Sequence, residues 1–149
     1  MQLEPYLFFE GRCEEAVEFY RKALGAKVEA IMRYKDAPGG MPGPANVKPE
    51  AVMHARLRVG DTAFMASDGE CGGAAQFTGF SLSITAANDA ESQRVFAAIG
   101  EGGQVQMPLS PTFFATSFGM VKDRFGVQWM VYAPIPQTKD AERREHASV

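Results

Sequence analysis

The apolar positions of the chain change their spacing several times, and the first half opens on a short aromatic run at 3–9 that is typical of a strand. Apolar residues then recur at helical spacing over 13–24 and alternate with polar residues over 27–35. Alternation resumes at 51–59 and, after a Gly-Asp turn, at 63–67. The pattern predicts strand, helix, strand and a hairpin.

The second half repeats this order of elements. A run of alternating apolar and hydroxyl residues at 79–85 predicts a strand, and a helix capped by Asn88 or Asp89 is predicted to continue through Ile99. Strands are predicted at 104–109, 114–122 and 127–132. The two halves share an order of elements and little sequence identity.

Each half therefore predicts a βαβββ module, and the fold class is α+β. Module one covers about 2–69 and module two about 78–135, within a single domain at 1–135. The polar segment 136–149 is predicted to be a disordered tail or a peripheral helix. Each module forms a curved mixed sheet with a helix on one face, so joined sheets would enclose a cleft for a small ligand.

A loop at 36–49 interrupts module one. It contains four prolines and three glycines, which neither a helix nor a paired strand accommodates. Loops of this length in compact domains are often lids over a site. The sequence leaves two interpretations open, a cover for the cleft and mobility without function.

Composition restricts the possible partners and the compartment. The chain has 149 residues and a formal net charge of −3, and its basic residues form no run, so we expect no nucleic-acid partner. No apolar stretch approaches the roughly 20 residues that cross a bilayer, so no membrane partner is expected. Two cysteines are too few for a disulfide framework, and no apolar leader opens the chain. We expect a cytoplasmic protein.

Seven short motifs together resemble one protein family. They are PYLFFEG at 5–11, EAVEFY at 15–20, LG at 24–25, HARL at 54–57, GD at 60–61, MASD at 65–68 and DRFGVQW at 123–129. The combination is similar to the PhnB-like branch of the vicinal oxygen chelate superfamily, which includes glyoxalases and bleomycin-resistance proteins. Members of this branch are often labelled 3-demethylubiquinone-9 3-methyltransferase-like. The sequence shows no glycine-rich strand-to-helix loop of the kind that holds a nucleoside cofactor, so a methyltransferase is not expected.

The resemblance implies a paired-βαβββ fold, usually dimeric, and in the metal-dependent enzymes a divalent ion held by His and Glu from four strands. The corresponding positions in this sequence are Pro5, Met65, Phe80 and Met130. None of these side chains binds a hard divalent ion. The chain has only two histidines, His54 and His146. We therefore predict no cofactor and no metal site, with a displaced divalent-metal site as the alternative.

His54, Arg56 and Asp68 are the candidate reactive residues. If the polar face of the strand at 51–59 faces the cleft, His54 presents a proton-transferring imidazole and Arg56 an anion-binding guanidinium. Asp68 would orient His54 or act as a base. The structural alternative makes His54 a hydrogen-bonded sheet residue, sends the arginines to solvent, and makes Asp68 a turn cap beside Gly69.

The remaining candidates would line the cleft. The predicted cleft residues are Pro5, Arg56, Met65, Ser67, Phe80, Trp129 and Met130. Most aromatic residues in a domain of this size build the core, so a core position is the alternative for Phe80 and Trp129. By strand alternation, Glu4 and Tyr6 are expected to point away from the face that carries Pro5.

The leading hypothesis is a homodimeric protein of undefined substrate that binds a small molecule in a metal-free, largely apolar cleft. Whether it is an enzyme stays open. The first alternative is a metal-dependent lyase, isomerase or dioxygenase of the glyoxalase kind, using His54 with Glu4, Asp68 or a residue of the dimer mate. The second is a drug-sequestering resistance protein, which needs an acidic cleft for a cationic drug, whereas Arg56 and its neighbours are basic.

Overall fold

The structure, a computed structural model, describes residues 1–39 and 47–136. The predicted tail beyond 136, and residues 40–46 of the predicted loop, lie outside the described residues. The elements of module one are β1 (Tyr6–Phe8), α1 (Cys13–Leu24), β2 (Lys27–Arg33), β3 (Val52–Val59) and β4 (Thr62–Ser67). Those of module two are β5 (Leu82–Thr85), α2 (Asp89–Gly100), β6 (Gln104–Ser110), β7 (Ala115–Lys122) and β8 (Gln128–Pro134). The twofold βαβββ order is confirmed.

The eight strands form two four-stranded sheets with the same layout. The strand order is β1-β4-β3-β2 in the first sheet and β5-β8-β7-β6 in the second. In each sheet the first strand pairs in parallel with the last strand of its module, and the other neighbours are antiparallel. The sheets are therefore mixed, as expected for this α+β fold.

Helix α1 has the bounds that the apolar spacing predicts. Its buried residues include Ala16, Val17 and Tyr20, which lie on one face of the helix. Gly25 ends the helix at φ 64°, a left-handed conformation that glycine adopts without steric cost. Residues 34–35, predicted as the end of the second strand, belong to a short 3₁₀ helix at Tyr34–Asp36.

The two modules share one hydrophobic core. The ring of Tyr20 on α1 lies 5.5 Å from that of Trp129 on β8 and 5.8 Å from that of Phe64 on β4, measured between centroids. These residues belong to the helix-bearing side of each sheet, and α1 and α2 also contact each other. The modules thus pack through their helix-bearing faces.

A buried carboxylate joins the modules within this core. Asp123 is 3% exposed. Its Oδ1 accepts hydrogen bonds from the backbone N–H groups of Phe125 (2.9 Å) and Val127 (3.0 Å), and its Oδ2 accepts from Trp129 Nε1 (2.9 Å) and from the Tyr20 hydroxyl. Three of these donors come from module two and one from module one, so the carboxylate ties α1 to the turn between β7 and β8.

The opposite face of each sheet is only partly covered within the chain. Alternation along β3 buries Ala55 and Leu57 and leaves His54 and Arg56 on the other face. In the second sheet, Met130 and Met120 lie opposite each other on the corresponding face. We call these surfaces the open faces.

Within the described residues, no helix is both long enough and apolar enough to span a membrane.

Removing the Asp123 carboxylate should destabilise the whole domain. In Asp123→Ala, four buried donors lose their acceptor, at about 1–3 kcal/mol for each unsatisfied group, so we expect the free energy of unfolding to fall by about 4 kcal/mol or more. Urea denaturation measures the change. Asp61→Ala, in the exposed turn between β3 and β4, is the matched control and should change it by less than about 0.5 kcal/mol. Equal losses would contradict the role of Asp123.

Candidate functional site

Four polar side chains form a stripe across the open face of the first sheet. They are Glu4, Tyr6, His54 and Arg56, and we call them the polar stripe. The sheet register brings them together, because β4 lies between β1 and β3 and its Met65 is paired with both Tyr6 and Arg56. Residues distant in sequence therefore lie side by side.

Tyr6 and His54 are a hydrogen-bonded pair. The Tyr6 hydroxyl lies 3.1 Å from Nδ1 of His54, and the ring centroids are 5.7 Å apart. If the hydroxyl donates to Nδ1, the neutral imidazole carries its own proton on Nε2. The pair thus places an imidazole and a phenol hydroxyl in hydrogen-bond contact at the sheet surface.

Arg56 forms a bidentate salt bridge with Glu4. Its Nη1 and Nη2 atoms donate to the two carboxylate oxygens of Glu4, at 2.5 and 2.9 Å. This hydrogen bonding raises the pKa of Arg56 and lowers the pKa of Glu4. Glu29 adds a second carboxylate, 2.8 Å from Nε of Arg58 and 3.7 Å from Nε of Arg56. An anion that binds the guanidinium fork must therefore replace Glu4.

Apolar side chains flank the polar stripe. Met32 is paired with His54 across β2 and β3, and Met65 lies beside Arg56. Phe8 is 53% exposed, and its ring lies 5.1 Å from that of Tyr6. The open face thus combines a hydrogen-bonded Tyr–His pair and a guanidinium with thioether and aromatic surface.

The Asp68 side chain is hydrogen bonded to backbone N–H groups. It is buried, and its two carboxylate oxygens accept from the N–H groups of Cys13 (2.8 Å) and Val52 (2.6 Å). The carboxylate thus satisfies a free donor at the start of α1 and one at the start of β3. The hydrogen-bond partner of His54 is Tyr6, and the Asp68 side chain has a structural role at the starts of α1 and β3 that differs from the turn cap beside Gly69 offered as the alternative.

The other predicted cleft residues occupy several places. Ser67 is buried, with its hydroxyl accepting from the Gly69 N–H at 3.1 Å, and Met130 lies on the open face of the second sheet. Trp129 faces the core and, together with Pro5, lines a groove between the modules. Phe80 lies near β1, in a pocket with Tyr6 and Phe8. Only Arg56 and Met65 of the predicted cleft set accompany His54.

Sequence reasoning did not select Tyr6 for the site and named Glu4 only as a possible metal ligand beside His54. The structure places both on the face opposite Pro5, as alternation predicts, and that face is the one that carries His54 and Arg56. The available signal was the strand pattern itself, because buried Leu7 and Phe9 alternate with exposed Tyr6 and Phe8. The two apolar core positions fix which face of β1 meets the helix.

The residues present do not fit the divalent metal site that the family resemblance implies. Among residues 1–39 and 47–136, no three His, Cys, Asp or Glu side chains converge on one point. His54 faces Tyr6, the Asp68 carboxylate is taken up by backbone donors, and Glu4 is bound to Arg56. None of these carboxylates is free to join the imidazole.

The two thiols should differ sharply in reactivity. Burial raises the pKa of Cys13 to about 12, so at pH 8 this thiol is protonated and enclosed. We expect Ellman's reagent to modify Cys71 in the native protein and Cys13 only after unfolding. Cys71→Ser should remove the fast reaction and leave the slow one, whereas rapid labelling of native Cys71→Ser would contradict the burial of Cys13.

A family model and several relatives match the chain. The sequence model of the family described as 3-demethylubiquinone-9 3-methyltransferase matches residues 1–132. Protein YjdN of Escherichia coli is 34% identical over 142 residues, which cover 88% of this chain and 94% of YjdN.

Solved structures agree in fold. Protein PA1353 of Pseudomonas aeruginosa is 46% identical, with a TM-score of 0.79 over 90% of this chain and 98% of its own. A PhnB protein of Bacillus cereus is 28% identical, with a TM-score of 0.73 over 89% and 99%. The fosfomycin resistance protein FosX of Mesorhizobium loti, 12% identical with a TM-score of 0.59 over 97% of both chains, shares the fold alone.

Proposed function

The chain belongs to the 3-demethylubiquinone-9 3-methyltransferase family, the PhnB-like branch of the vicinal oxygen chelate superfamily, and from that premise we propose that it binds a small organic anion without a metal ion. The binding surface is the open face of the first sheet. The polar stripe contacts the charged end of the ligand, and the methionines and Phe8 contact its apolar body.

The observation that carries this proposal is the bidentate contact between Glu4 and Arg56. A carboxylate already occupies the guanidinium fork in the geometry that a ligand carboxylate would adopt. Glu4 belongs to the short segment before β1, so it can leave the fork without breaking the sheet ladder. A ligand carboxylate replaces it and meets the Tyr6–His54 pair beside it.

The charge of the stripe supports an anion over a hard cation. With Glu4 displaced, Arg56 and the imidazole of His54 form the polar end of the site. A divalent ion would need at least two carboxylates beside His54, and those nearest are engaged with Arg56 and with the backbone. The family's name alone does not extend methyl transfer to this chain.

The anion site is tested by two substitutions with opposite effects. The probe is 2-naphthoate, which joins a carboxylate to an apolar ring system, and its binding is followed by fluorescence. Glu4→Gln weakens the internal competitor and should tighten binding about fivefold, because the ligand no longer competes with a charged carboxylate for the guanidinium. Arg56→Met should weaken binding about tenfold or more. Arg21→Met, at an exposed ion pair on α1, is the matched control.

Several outcomes would contradict this function. Equal binding by Glu4→Gln and Arg56→Met would show that the probe does not use the fork. One equivalent of divalent metal per purified chain, lost in His54→Ala, would instead support the metal-dependent lyase or isomerase. Loss of binding in the Arg21→Met control would indicate a nonspecific effect of charge.

We further propose that two copies of the chain associate through their open faces. The open face of the second sheet carries Phe118, Met120, Met130 and Tyr132, an apolar surface that proteins usually cover. A second copy would cover it and enclose the polar stripe, since homodimers use the same surfaces on both subunits.

Light scattering tests the dimer directly. The mass in solution should be about twice the chain mass of 16.2 kDa. Phe118→Glu places a charge in the proposed interface and should shift the mass toward one chain, whereas Gln93→Glu, on the exposed side of α2, should leave it doubled. A single-chain mass for the unmodified protein at micromolar concentration would overturn the proposal.

A further inference from the structure

A second pocket lies beside the polar stripe, at the outer edge of β1. It has a volume of about 710 Å³ and is lined by the rings of Tyr6, Phe8, Phe77 and Phe80. Phe77 is buried and forms the floor, whereas Phe8 and Phe80 are 53% and 45% exposed. Two large aromatic side chains are therefore presented to solvent around a concave surface.

The charge at this pocket is negative. Glu10 and Glu70 both line it, and no lysine, arginine or histidine is among the described residues that do so. The nearest imidazole, that of His54, contacts Tyr6 from the side of the polar stripe. Arg12, two residues from Glu10, is turned toward Glu15 and the ring of Phe125.

The Glu10 carboxylate is held in place by the backbone around it. Glu10 has a φ of 49°, a left-handed conformation that residues with a Cβ seldom adopt. Its Oε2 accepts from the Gly72 N–H at 3.1 Å. A Cβ on Gly69 would lie 2.6 Å from its Oε1, so the glycine leaves room for the carboxylate in this position. One negative charge is thus hydrogen bonded at the wall of the aromatic pocket.

Fixed carboxylate and aromatic faces together match one class of ligand. The negative π-faces of tyrosine and phenylalanine attract an ammonium group, most effectively when it is alkylated and weakly hydrated. A neighbouring carboxylate adds a direct charge interaction. A metal ion fits this surface poorly, because among the described residues no third His, Cys, Asp or Glu joins the two carboxylates.

We propose that this pocket binds an organic cation of the quaternary or tertiary ammonium type. Phe8, Phe80 and Tyr6 enclose the alkylated nitrogen, and Glu10 provides the counter-charge. The pocket shares Tyr6 and Phe8 with the proposed anion site but does not use Arg56, and the stripe does not use Glu10, so variants of these two residues separate anion binding from cation binding.

The experiment uses choline and 3,3-dimethyl-1-butanol, in which a carbon replaces the choline nitrogen. The two molecules have nearly the same shape, so a difference in affinity reports the charge. Titrations followed by protein NMR should show choline binding at least tenfold more tightly than the alcohol, and added salt should weaken only choline. Shifted resonances should belong to residues at the pocket.

Matched variants locate the site. Glu10→Gln can still accept the Gly72 N–H and should weaken choline about tenfold without affecting the alcohol. Phe80→Ala should weaken both molecules. The controls are Glu101→Gln and Phe113→Ala, whose residues are exposed away from the pocket, and these should bind as the unmodified protein does.

Equal affinity for choline and the alcohol, or unchanged choline binding in Glu10→Gln, would overturn the inference. Choline binding lost in Arg56→Met but retained in Glu10→Gln would also overturn it, because the cation would then depend on the polar stripe. Failure of choline with retained 2-naphthoate binding rejects the pocket and leaves the anion site standing.

Discussion

The buried carboxylate of Asp123 sets how the two modules face each other. A carboxylate at 3% exposure is tolerated only when it is fully hydrogen bonded, and one of its four donors is a tyrosine from the other module. Tyr20 therefore has to lie against Trp129, which brings α1 onto the helix-bearing side of the second sheet. Burial raises the pKa of Tyr20, so its hydroxyl remains a donor at physiological pH.

The position of the candidate site follows from this arrangement. Once the helix-bearing faces are packed together, strand alternation directs every other residue of β3 and β8 to an open face. His54 and Arg56 are there because Ala55 and Leu57 are required by the core. The residues of the polar stripe on β3 thus alternate with the core residues of the same strand. The aromatic pocket forms where β1, the edge strand of its sheet, meets the segment after β4.

The sequence predicts the order of elements well and the site only in part. The periods of α1 and of β3 are strong, so their bounds and buried positions can be derived from apolar spacing. The Tyr6–His54 pair joins residues 48 positions apart, and it depends on a parallel pairing of β1 with β4 that no local pattern encodes. In the sequence Asp68 resembles a reactive carboxylate. The fold buries it and gives both of its oxygens backbone N–H donors, and no local sequence pattern shows this.

The hydrogen-bond partners of the carboxylates decide which chemistry remains at the candidate sites of this chain. Asp68 and Asp123 accept hydrogen bonds from backbone and core donors, and Glu4 accepts from Arg56. A hard divalent ion needs several such groups at one point, and the fold distributes them instead. An organic ion has a smaller requirement, because one complementary charge beside an apolar or aromatic surface is enough. We propose that the polar stripe meets that requirement for an anion and that the aromatic pocket, with Glu10, meets it for a cation.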